Sequence, residues 1–195
     1  MFKLGLTGSI ASGKSTVLKF FADLGYPVFS ADQAVHDLYQ DRAVGPLAAL
    51  FPQAIVNGHV DRNVLSSTLA KNPERIKQLE AIVHPLVHEE ISNFLRQAQA
   101  SGARLAVIDI PLLFETGFDH GFDAVALTFC NEELLRARAL DRPGMDEKKL
   151  DFILDHQLPQ HEKKARADYL IDTGNSLEQT KARVVRIVNE ILSDK

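Results

Sequence analysis

Apolar residues gather into short, nearly unbroken runs at 2–7, 27–30, 105–110, 124–130 and 169–172. Runs of that length with little polar alternation predict strands covered on both faces, the habit of parallel sheets. Between them the apolar spacing becomes helical. Residues 14–24 carry Val17, Leu18, Phe20, Phe21 and Leu24, and Gly25 followed by Pro27 marks a stop. Strand and helix in alternation predict an α/β fold built on a doubly wound parallel sheet.

Two intervals break the alternation. Residues 34–102 read as mostly helical, the last helix carrying Val87, Ile91, Leu95 and Ala98 before Gly102. A strand-helix-strand crossover needs only about a dozen residues, so the surplus predicts an inserted helical subdomain. Residues 133–166 carry helical patterns broken at Pro143-Gly144 and again at Pro159. The expected division is a core of 1–33, 103–132 and 167–195, a helical insertion at 34–102 and a second element at 133–166.

With 195 residues, 45% of them hydrophobic and 25% charged, the chain fits one compact soluble unit with insertions. A net charge of −4 gives no general surplus of cations for phosphate backbones, so no nucleic-acid partner is expected. The single cysteine, Cys130, excludes an intrachain disulfide and a multi-cysteine zinc site, and points to a reducing compartment. No run reaches the ~18 apolar residues of a membrane span, and no secretory leader is read at the amino terminus. The expectation is a cytoplasmic protein that is a monomer or a weak homo-oligomer.

The chemistry begins directly after the first predicted strand, in "GSIASGKST". Gly8-x-x-x-x-Gly13-Lys14-Ser15 has the spacing of a phosphate-binding loop that follows a strand and opens a helix. Glycines at 8 and 13 admit backbone that side chains would forbid, so that N–H groups along Gly8, Ala11, Ser12, Gly13, Lys14, Ser15 and Thr16 converge on phosphate. Lys14 would neutralise β- and γ-phosphate charge, and the Ser15 hydroxyl would ligate Mg²⁺. The competing reading is a flexible glycine-serine turn. A GTPase-type switch would usually add an Asn-Lys-x-Asp guanine reader, and no asparagine here is followed by lysine.

Three further places are candidates for the acceptor side. Asp32 lies just past the second predicted strand, where open α/β sheets bind ligands, and could accept a hydrogen bond from an acceptor hydroxyl. Its structural alternative is a helix N-cap. His84 precedes Pro85, which as a first helical residue would leave His84 at the N-cap and weaken a zinc pair with His88. That leaves a capping histidine, favoured by spacing, or one that binds substrate oxygen. Arg138 and Arg142 are four apart and share one helical face before a predicted hinge at Pro143-Gly144. They fit a mobile charge clamp on a transferring phosphoryl, or equally a solvated helix with Asp141 and Glu133 nearby.

The ordered set "GLTGSIASGKSTV", "SAD", "GHVDRNVL", "LEAIVHPLV", "IPLLFE", "RALDR", Gln157, Lys163 and "ADYLIDTGNS" resembles the dephospho-CoA kinases, P-loop enzymes of the last step of coenzyme A synthesis. The loop alone is shared by many families; the combination is specific. The resemblance implies a P-loop NTPase-type core, ATP-dependent phosphorylation of the ribose 3′-hydroxyl of dephospho-CoA, and Mg²⁺. It implies that Asp32 engages that hydroxyl, that Arg62 and His84 lie in the coenzyme-binding insertion, and that Arg138 and Arg142 belong to a helical lid. Gly174 and Asn175 would lie near the adenine of ATP. Asp109, before Pro111, resembles a metal-holding strand aspartate but is given no ligand role. The rivals are another P-loop kinase, for a nucleoside, shikimate or gluconate, and a nucleotide-driven switch that transfers no phosphate.

Overall fold

The computed structural model describes residues 1–116 and 121–193. In chain order its elements are β1 (Phe2–Gly8), α1 (Lys14–Asp23), β2 (Val28–Ser30), α2 (Ala31–Leu38), α3 (Val44–Leu50), β3 (Ile55–Val56), β4 (His59–Val60), α4 (Arg62–Lys71) and α5 (Ile76–Ala100). There follow β5 (Leu105–Asp109), α6 (Leu113–Thr116), β6 (Ala124–Phe129), α7 (Glu132–Leu140), α8 (Glu147–Asp155), α9 (Gln160–Arg166), β7 (Tyr169–Asp172) and α10 (Leu177–Ser193). By contact the chain divides into a unit of Met1–Phe29 with Gln97–Lys195 and a unit of Ser30–Arg96.

The first unit is organised by a five-stranded sheet of order β2-β5-β1-β6-β7. β1 is central, parallel to β5 with Leu4 opposite Val107 and to β6 with Gly8 opposite Thr128. β6 and β7 are parallel as well. All five strands coincide with the apolar runs, and the middle of the sheet is covered on both faces: β5 is buried throughout, and β1 from Leu4 to Gly8. Val17 and Phe21 of α1 and Val184, Ile187 and Ile191 of α10 pack with Leu4, Leu6, Leu105 and Ile171 into one core. Leu6 is wholly enclosed there. Leu6→Ala is therefore expected to destabilise the fold by about 2–5 kcal/mol, seen as a lower urea midpoint at unchanged slope.

The second unit is mostly helical, with one small hairpin. Asn57 and Gly58, both at positive φ (52° and 82°), form the two-residue turn that joins antiparallel β3 and β4. Phe51 is fully buried, with the Arg75 guanidinium over its ring at 4.4 Å. Arg42 reaches Glu89 and Glu90 of α5.

α5 corrects one expectation. Pro85 does not open a helix; it sits inside the continuous helix Ile76–Ala100, so His84 is a mid-helix residue and not an N-cap. Proline removes the N–H that would bond the carbonyl of Ala81, but Ala81 is exposed and water can take over. Val83 and Val87, buried on either side of the proline, keep both halves packed.

Candidate active site

The phosphate-type loop leaves the carboxyl end of β1 and enters α1, whose N-cap is Gly13 at φ 78°. The first turn of a helix leaves its leading N–H groups unbonded, so those at the start of α1 point out of the helix end. The two glycines are required for different reasons. Gly13 needs the left-handed conformation, and a Cβ there would also press on Thr173 at 3.0 Å. Gly8 needs space rather than freedom, because a Cβ there would overlap the hydroxyls of Thr128 and Ser12.

That close approach builds the floor of the loop. Thr128 donates to the Thr7 carbonyl at 3.2 Å, which leaves the Ser12 hydroxyl to donate to Thr128 Oγ1 at 2.8 Å. From β7's end, the Thr173 hydroxyl donates to the Ser12 carbonyl at 2.9 Å. Lys14 forms an ion pair with Asp109, at the end of β5, in which the two side chains are 13% and 5% exposed. Lys14 thus already faces a carboxylate at the loop. Ser15 is exposed beside it, and its hydroxyl is a hard oxygen donor of the kind Mg²⁺ accepts. Among the described residues no cluster of three or more His, Cys, Asp or Glu could hold a metal.

The two arginines differ. Arg138, in the last turn of α7, donates to the Thr173 carbonyl at 3.0 Å and to its hydroxyl at 3.4 Å. Arg142 lies beyond the helix, past the C-cap Asp141, and is exposed. The two do not share a helical face, as the spacing predicted, because Pro143 pushes its predecessor out of the α region. Gly144 then takes φ 73°. Gly174 and Asn175 are exposed in the turn after β7, the Gly174 N–H bonded to Asp172 at 2.8 Å. Cys130 is buried behind Gly174, and burial pushes its thiol up, away from a reactive thiolate.

In the helical unit, the cap of α2 is Ser30, whose hydroxyl accepts from the Gln33 N–H at 3.4 Å. Asp32 stands inside the first turn with its side chain exposed, so capping does not account for it. Arg62 opens α4 next to this turn: it donates to the Asp32 carbonyl at 3.4 Å and lies 5.7 Å from the Tyr39 ring. Burial raises the Tyr39 hydroxyl's pKa against the opposing pull of Arg62. Asp32 and Arg62 are thus brought together. His84 lies elsewhere in this unit, on α5 beside His88, whose pKa is lowered first by burial and then by His84.

A family model described as dephospho-CoA kinase matches residues 2–179. The chain belongs to the dephospho-CoA kinase family. A dephospho-CoA kinase of Rhizobium etli is 47% identical over 191 residues, covering 98% of this chain and 94% of that one. One from Brucella melitensis is 46% identical over 188 residues, covering 96% and 94%. A crystal structure from Thermus thermophilus, 32% identical, superposes with a TM-score of 0.87 over 98% of this chain and 97% of that one. A shikimate kinase of Bacteroides thetaiotaomicron, at 18% identity and a TM-score of 0.55, covers 98% of both chains; it shares the P-loop kinase fold.

Placed in that family, the site contains contacts that no local pattern announced. Asp109, which resembles a metal-holding strand aspartate and carries no assigned role, pairs with Lys14. Thr128 looks like an ordinary strand residue, and Thr173 like an ordinary residue of the turn after one. Gln157 and Lys163 stood out as family marks without a role.

Proposed function

We propose that this protein transfers the γ-phosphoryl group of ATP to the 3′-hydroxyl of the ribose of dephospho-CoA, giving coenzyme A and ADP. The observation that carries this reading is the loop with Lys14 held at its mouth by Asp109, in a chain that matches its family almost end to end. Backbone amides of Gly8 and Ala11 to Thr16 grip the triphosphate, Lys14 balances its charge, and the Ser15 hydroxyl would hold Mg²⁺, which would supply neutralisation of phosphate charge. Gly174 and Asn175 border the adenine.

The acceptor is the task of the insertion 34–102, with Arg62 and His84 contacting the coenzyme and Asp32 aiming its 3′-hydroxyl. A helical insertion of this length is more than a small sugar acid would need. Segment 133–166 serves as the lid. Its closure would expel water so that the phosphoryl goes to ribose and not to solvent. No helix among the described residues is long and apolar enough to cross a membrane; the proposed enzyme is a cytoplasmic monomer or weak homo-oligomer acting on a small molecule.

Mass analysis of products after incubation with ATP, Mg²⁺ and dephospho-CoA tests donor, acceptor and reaction together. The expected product is the acceptor bearing one added phosphoryl group, formed only with all three present. ATP consumption that ignores dephospho-CoA and yields no new phosphorylated species would instead favour a nucleotide switch.

Arg142 provides a narrower test. Because the clamp acts on charge that develops during transfer, Arg142→Ala is expected to lower kcat roughly 10²-fold or more with much less change in KM. An unchanged turnover number would remove Arg142 from the chemistry.

A further inference from the structure

The tip of the loop carries an unusual backbone. Ala11 has φ 57°, a left-handed conformation that a residue with a Cβ adopts only against a steric cost and that its surroundings must enforce. Ser12, on one side, is held through its carbonyl by Thr173 and through its hydroxyl by Thr128. Ile10, on the other, donates its N–H to the side-chain oxygen of Gln157 at 3.2 Å, across 147 residues of sequence. Above both, Ala11 packs with Ala139 and Leu150, and Ile10 joins Met145 and Leu154 around them.

We infer that Gln157 is a positioning residue for the phosphate loop: its amide oxygen holds the Ile10 peptide so that Ala11 stays in the left-handed shape the loop needs to receive phosphate. Gln157 lies in the short link between α8 and α9, and that link is anchored. Its own N–H bonds the Leu154 carbonyl at 3.0 Å, and the next N–H, of Leu158, bonds Glu115 Oε1 at 3.0 Å. The same Glu115 oxygen lies 2.7 Å from the ammonium of Lys163 on α9, an ion pair by distance rather than a well-aimed hydrogen bond. Lys163 is fully enclosed. Removing one partner of a buried pair is costly, so Glu115 and Lys163 fix where Gln157 can stand.

The Ile10 N–H is therefore taken up by protein, as the Ser12 N–H is by the Ser9 carbonyl at 3.1 Å. If the loop is shaped by Gln157, a nucleotide meets a fraction of molecules already competent, and loss of Gln157 lowers that fraction and the apparent affinity with it. The inference rests on the loop being the nucleotide site.

The test is titration calorimetry of the full-length protein with Mg²⁺-ADP, comparing wild type, Gln157→Met, Ala11→Gly and the double variant. Gln157→Met keeps length but removes the acceptor, and is expected to weaken ADP binding about five- to tenfold. Glycine visits the left-handed region freely, so in the Ala11→Gly background the same change should cost only about twofold. In turnover assays KM for ATP should rise while kcat at saturation changes less. Gln157→Ala, which cannot overfill the site, serves as a second variant with the same expected ratio. Unchanged ADP affinity, or an equal loss in both backgrounds, would overturn the inference. Failure of the wild type to bind ADP would instead overturn the nucleotide-site reading beneath it.

Discussion

Lys14→Met should lower kcat by roughly 10²–10³-fold or more, the range found when a preorganised group facing developing charge is removed. The lysine belongs to the loop itself, at the first position of α1, and in a loose phosphoryl-transfer transition state charge spreads over the equatorial oxygens it would face. Its effect on the fold has a separate cause. Lys14 and Asp109 form a largely buried pair, and removing one partner of such a pair costs about 3–5 kcal/mol. Stability and catalysis can therefore be separated. Adding Asp109→Asn to Lys14→Met should return much of the lost urea midpoint, because the buried negative charge goes with the cation that balanced it. It should return none of the turnover. A double variant that regained activity would mean that Lys14 serves the fold and not the phosphates.

The middle of the parallel sheet is readable because β5, and β1 from Leu4 on, are buried on both faces and so appear as unbroken apolar runs, whereas the edge strands β2 and β7 are only partly buried; the loop is readable because its glycines, lysine and hydroxyls are close neighbours in sequence. What escaped had no such local signature. The β3–β4 hairpin announced its turn as Asn57-Gly58, but with strands of two residues each there was no alternation to flank it. Proline favours the first position of a helix, which predicts a start at Pro85, whereas burial of Val83 and Val87 carries α5 straight through it. Arg142 kept helical spacing on paper and lost it to the proline that follows. Gly8 was foreseen as a conformational need and proves to be a steric one, set by Thr128 directly opposite on β6. Thr173 and Gln157 reach the loop from 161 and 147 residues away, distances over which no pattern in the chain connects them.

The second large effect is expected at Asp32. Asp32→Asn preserves the size of the side chain and its place in the first turn of α2, but removes the charge that lets it accept a proton from the acceptor hydroxyl. General-base contributions run at about 10²–10⁴-fold, and kcat should fall by that order. Since proton removal comes late in a loose transition state, most of the loss would come from a hydroxyl no longer aimed at phosphorus. Asp32→Glu should then also be poor, because a longer arm keeps the charge and spoils the aim. Binding of Mg²⁺-ADP should stay within about twofold of wild type in both variants, as Asp32 is assigned to the acceptor and not to the nucleotide. The fold should hold as well, because the cap of this helix is Ser30 and the Asp32 carboxylate is exposed. Near-normal phosphorylation of dephospho-CoA by Asp32→Asn would leave the transfer reaction standing and strip this carboxylate of its part in it.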